Sequence, residues 1–109
     1  MSEYPEKTCT IDRLVTHARL VEAALAGRKT QQRRNGVYGY PGEEFQLEDK
    51  TFRIVGLRHE SLGDMTDDDA RAEGYPSRDV YLELIQKMHG GMDIDLNGKV
   101  WVHEFEPVS

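Results

Sequence analysis

The sequence predicts an α+β domain, a small mixed β-sheet or barrel with peripheral helices. Three observations lead there. Two long segments carry apolar residues at helical spacing, and several short runs alternate with period two. These elements also do not alternate strictly, which disfavours a doubly wound parallel sheet. At 109 residues the chain is one domain, and 38% apolar with 31% charged residues suits a compact core beneath a solvated surface.

Residues 1–9 are polar, contain Pro5 and read as a flexible N-terminus ahead of a domain over 10–107. "CTIDRLV" alternates Cys9 and Ile11 with polar neighbours, which predicts a first strand. In "HARLVEAALAG", Leu20, Val21, Ala24 and Leu25 fall on one helical face and Gly27 is the stop. "NGVYGYPGE" is turn chemistry. "EFQLEDKTFRIVGL" gives two strands around a Glu48-Asp49-Lys50 turn, with Phe45 and Leu47 facing one way and Phe52, Ile54 and Gly56 sharing a face.

Thr66 and Asp69 form a capping-box pattern at the head of a helix that closes at Gly74. "SRDVYLELIQKMHGG" predicts the clearest helix, capped by Ser77 and ended by Gly90-Gly91. Its apolar stripe is Val80, Tyr81, Leu84, Ile85 and Met88. "KVWVHEFEP" alternates Val100 and Val102 against Trp101, His103 and Phe105, a terminal strand.

Composition removes several functions. The single Cys9 forms no internal disulfide, and His17, His59, His89 and His103 are scattered without metal-ligand spacing, so no metal and no cofactor is expected. Without a basic leader or an apolar run of membrane-spanning length, the reading is a cytoplasmic protein with no membrane partner. A net charge of -6 argues against nonspecific coating of nucleic acid. "DIDLNGKVWVHE" satisfies the calcium-loop spacing from Asp93 through Asp95, Asn97 and Gly98 to Glu104. The residues after Gly98 run with period two rather than 3.6, so the expected structure is an acidic turn before a strand, with no calcium.

Against this acidic background "GRKTQQRR", residues 27–34, stands out. Arg28 and Lys29 suit the negative pole of a helix end. Arg33 and Arg34 lie beyond the stop, in a new strand, where they face opposite ways. An inward cation there needs a buried carboxylate or a ligand anion.

The run "AALAGRKTQQRR", the later "PGE", "LGDMTDDDARAEGYPS" and the closing "VWVHEFEPV" together resemble the ASCH domain family, small relatives of the PUA barrel. The likeness to its small bacterial single-domain members spans about residues 10–107. The resemblance implies a barrel of about six strands with a cationic cleft at the helix–strand junction, and binding of RNA or a nucleotide. Carried across, the family's lysine falls on Lys29, its glutamate on Glu73 and its closing arginine on Arg34. Lys29 and Arg34 would then meet phosphate, Gln32 would read a base edge, and Tyr38 or Tyr40 would stack on a ring. Some relatives are amidohydrolases of N4-acetylcytidine, which makes Lys29, Glu73 and Thr30 the catalytic candidates for an alternative, enzymatic reading. Gln32 stands where that pattern has threonine, and an amide is no nucleophile. Arg33 is expected to face away from the cleft.

Overall fold

The computed structural model describes residues 4–88, 90 and 95–108; His89, Gly91 and Asp93 lie outside them. Four runs become strands: β1 (Gln31–Arg34), β2 (Glu44–Leu47), β3 (Lys50–Ser61) and β4 (Lys99–Pro107). They pair antiparallel in the order β1-β4-β3-β2 and curl into a half-barrel. Three helices, α1 (Ala18–Leu25), α2 (Asp67–Glu73) and α3 (Arg78–Met88), complete the α+β fold. No helix among the described residues is long and apolar enough to cross a membrane.

The predicted first strand is instead a 3-10 turn over Ile11–Arg13, closed by the Leu14 N–H on the Ile11 carbonyl at 3.1 Å. The consecutive Leu14 and Val15 are both buried, a demand that a strand with one core face does not meet. The residues before it lie against the domain. The Tyr40 hydroxyl donates to the Pro5 carbonyl at 2.7 Å, and Lys7 pairs with Glu43.

The helix boundaries follow their caps. Gly27, at φ 84°, follows α1 in the left-handed region that glycine takes without strain. Thr66 and Asp69 form the reciprocal capping box of α2, each side chain accepting the other's backbone N–H at 3.1 Å. The apolar stripe of α3 is rotated from expectation. Tyr81, Leu82 and Ile85 pack inward, whereas Leu84 and Met88 are exposed.

The half-barrel encloses Leu14, Val15, Ala24, Phe45, Leu47, Phe52, Ile54 and Phe105. Three rings form its centre, Phe45–Phe52, Phe45–Phe105 and Phe52–Phe105, at centroid separations of 5.7, 5.4 and 5.7 Å. A smaller cluster of Leu62, Met65, Ala70 and Tyr81 lies beneath α2 and α3. Between Ile54 and Gly56 the β3–β4 register shifts: Ile54 opposes Phe105 and Gly56 opposes Glu104, which leaves Val55 unpaired and half exposed. Gly56 therefore does not share Ile54's face as the plain alternation predicts. Past this bulge Leu57 and His59 take the barrel side, while Arg58 and Glu60 turn outward.

Candidate functional site

Strand alternation divides the basic segment. Lys29, Gln31 and Arg33 project towards α2; Gln32 and Arg34 project into the barrel end. On the α2 side Lys29, Arg33 and Glu73 form a buried charge cluster, each no more than 5% exposed. The Lys29 ammonium donates to the carbonyls of Gln31 at 2.6 Å and Glu73 at 2.7 Å and lies 3.7 Å from Glu73 Oε1. Arg33 Nη1 reaches Glu73 Oε2 at 3.1 Å and Gln31 Oε1 at 2.9 Å, and Nη2 reaches Glu60 at 2.8 Å. Asp69, which caps α2, lies 3.8 Å from Arg33 and accepts from Gln31 at 3.4 Å. Arg58 extends the network to Glu60 and Glu104.

Burial lowers Lys29 from its ordinary 10.5 to about 8, with Glu73 opposing that shift. Burial likewise raises Glu73 above its ordinary range, against the pull of Lys29 and Arg33.

Lys29 and Glu73, which the resemblance pairs, are thus together. The other candidates are elsewhere. Thr30 is exposed, its backbone N–H on the Ala72 carbonyl at 2.7 Å and its carbonyl on Phe105 N–H at 3.0 Å. Gln32 is buried on the opposite face, its Nε2 donating to the Arg33 carbonyl at 3.2 Å and its Oε1 without a partner. Arg34 donates to the Leu14 carbonyl at 2.8 Å and lies over the Tyr38 ring at 5.2 Å. Tyr40 stacks on Tyr4 at 6.1 Å, further out. Lys29 and Gln32 therefore do not share a cleft.

Arg33, expected to face away, is the arginine that Glu73 holds. Period two alone places Lys29, Gln31 and Arg33 on one side, a signal that the family pattern's emphasis on Arg34 outweighed. His103, read as an ordinary histidine, is fully buried. Its Nε2 accepts the Tyr38 N–H at 3.0 Å, so Nδ1 carries the proton and donates to the Gln32 carbonyl at 3.2 Å. Burial holds its pKa below the usual histidine range.

A cavity of about 310 Å³ opens at the far end of β1, between β4 and α3. Arg33, Arg34, Asn35, Asp95 and Lys99 supply its polar wall, and Leu62, Tyr81, Ile85 and Val100 much of its apolar one. Arg33 arrives there with its Nη atoms spent on carboxylates and its buried Nε without a partner. Arg34 is the one residue of the sequence-derived set that reaches this cavity.

Among the described residues no group of three or more His, Cys, Asp or Glu side chains is placed to hold a metal ion. In the calcium-like segment Asp95 Oδ1 accepts the Asn97 N–H at 3.0 Å within a turn, and Glu104 sits on β4 paired with Arg58. No helix follows this turn.

The fold has counterparts among solved structures. An ASCH domain from Lactobacillus crispatus JV V101 superposes with a TM-score of 0.64 at 12% identity, over 81% of this chain and 69% of that one. Protein EF3133 from Enterococcus faecalis V583 gives 0.64 at 15% identity, over 83% and 67%. The hypothetical protein PH0355 gives 0.62 at 17% identity, over 85% and 94%. The chain therefore has the ASCH, PUA-like fold. No protein-family model and no curated protein matches its sequence.

Proposed function

We propose that this chain is an RNA- or nucleotide-binding module that takes its ligand at the cavity between β1, β4 and α3. The observation that carries this reading is the cavity itself, where Arg33, Arg34, Asn35 and Lys99 meet Tyr81 and Ile85. Arg34 and Lys99 bring positive charge to that end of the sheet against the carboxylate of Asp95, Asn35 adds an amide, and Tyr81 and Ile85 offer an apolar wall. The ASCH-like fold supports the same class of ligand. The expected cleft moves from the Lys29 end of β1 to its Arg34 end.

The amidohydrolase reading is weaker on the geometry. Lys29 and Glu73 do meet, and an amine lowered to about 8 suits a proton carrier. That amine is nonetheless sealed at 1% exposure with two carbonyls as partners, and among the described residues no hydroxyl hydrogen-bonds to it. Incubation with N4-acetylcytidine is expected to leave the substrate unchanged.

Calorimetric titration with uridine monophosphate and a short single-stranded oligouridylate, at several salt concentrations, tests the binding reading. Affinity should fall as salt rises, and Lys99→Ala, an exposed substitution, should weaken binding without unfolding. Absence of binding to both probes, or affinity indifferent to salt, would overturn it.

A further inference from the structure

On the barrel side of the same sheet end, Arg34, Trp101 and His59 stand in one row across β1, β4 and β3. Directly opposed residues on neighbouring strands share a face, so the row places a guanidinium, an indole and an imidazole side by side. The His59 and Trp101 rings lie face to face, with centroids 4.3 Å apart and planes 3° from parallel. Tyr4 meets Trp101 edge-on at 6.3 Å, which fixes the indole from a second direction. His59 is exposed even though one of its faces is covered by Trp101. Its other face therefore offers a flat surface in register with a ring already held in place.

We infer that the His59–Trp101 pair is a stacking platform for an unpaired nucleobase of a single-stranded RNA whose neighbouring nucleotide occupies the cavity. The inference rests on the nucleotide-binding reading above and extends it from one nucleotide to a strand. Continuity carries it. Val100 lines the cavity and Trp101 is the next residue of β4, pointing to the other side. Consecutive Cα atoms are only about 3.8 Å apart, so cavity and platform flank a single strand end. A chain of nucleotides turning around that end would pass Asn35 and the exposed Lys99, with Arg34 between the two binding positions. Stacking accepts any base, since every base has a π-face, which fits a surface with few groups aimed at base edges.

Trp101 is the chain's single tryptophan, so its emission reports the platform alone. The experiment titrates uridine monophosphate and an oligouridylate of about six nucleotides, following Trp101 emission and the calorimetric Kd together. The oligomer should quench Trp101 saturably and bind more tightly than the monophosphate. His59→Ala should weaken oligomer binding by about fivefold to a hundredfold, far more than it affects the monophosphate, and His59→Phe should restore much of the loss. If the oligomer binds without quenching and with unchanged affinity in His59→Ala, the pair merely braces the sheet and the platform is overturned. If the monophosphate binds and the oligomer binds no better, the platform falls while the cavity stands. If neither binds, the nucleotide reading fails and the platform with it.

Discussion

The two sides of this half-barrel sheet are both closed to water, but by opposite means. Inside the barrel, Phe45, Phe52 and Phe105 exclude water by area and shape. Under α2, Lys29, Arg33 and Glu73 are equally hidden yet remain bound by charge and hydrogen bonds. An apolar core tolerates change in proportion to the volume removed, whereas a buried ionic group tolerates almost no single loss but can be replaced as a set. The ionic side is thus the more brittle half. It is also the half that holds an arginine against the cavity.

The largest expected effect comes from breaking that side. Glu73→Ala strands Lys29 and Arg33 without their shared carboxylate and should cost about 3–5 kcal/mol by urea denaturation. Phe105→Ala should cost a similar ~3–5 kcal/mol through its cavity. The contrast appears in the joint replacement of Lys29 by Met, Arg33 by Met and Glu73 by Leu, which should cost far less than Glu73→Ala alone. That triple variant should at the same time lose nucleotide binding, since Arg33 is gone.

A smaller effect separates the two sides by pH. The unfolded chain keeps the Lys29 proton up to about 10.5, and the folded one releases it at about 8. Between those values the unfolded state binds more protons, so stability rises with pH across the window, by about 1–3 kcal/mol, and is flat in this respect below it. Glu73, raised by burial, acts at lower pH with the opposite slope: its contribution is full below its ordinary 4.5 and lost as pH rises through its folded value. Urea midpoints of the native chain and of Lys29→Met, compared from pH 7 to 10, isolate the lysine's part. Phe105→Ala should show the native pH slope. The smallest effect is at the helix that carries Glu73: Thr66→Ala should cost about 1 kcal/mol by loss of the capping box.

Much of this contrast was legible in the letters. The Thr66–Asp69 box, the Gly27 and Gly74 stops and the period-two runs of β2 and β4 are local signals, and each element formed where its signal lies. The pairing of Lys29 with Glu73, across more than forty residues, came from the resemblance and not from any local pattern. What stayed hidden depends on three-dimensional neighbours. Leu14 and Val15 turn because both must be buried, and α3 rotates because Tyr81 packs into the cluster of Leu62, Met65 and Ala70. Arg33 points inward because Glu60 of β3 and Asp69 and Glu73 of α2 converge on it, which no stretch of sequence displays.

One unpaired residue sets the phase of the whole arrangement. Before Val55, the even-numbered residues Phe52 and Ile54 look into the barrel; after it, the odd-numbered Leu57 and His59 do. The bulge acts as a frame shift written in side-chain direction instead of codons. Were Val55 paired in a plain ladder, with the Phe52 end held in place, every later residue of β3 would exchange sides; deleting Val55 instead removes the bulge and leaves those sides unchanged. In that plain ladder Arg58 and Glu60 would enter the barrel, and Leu57 and His59 would turn towards the α2 side. One residue held outside the ladder thus keeps the oily and the ionic interiors of this protein on their own sides of the same strand.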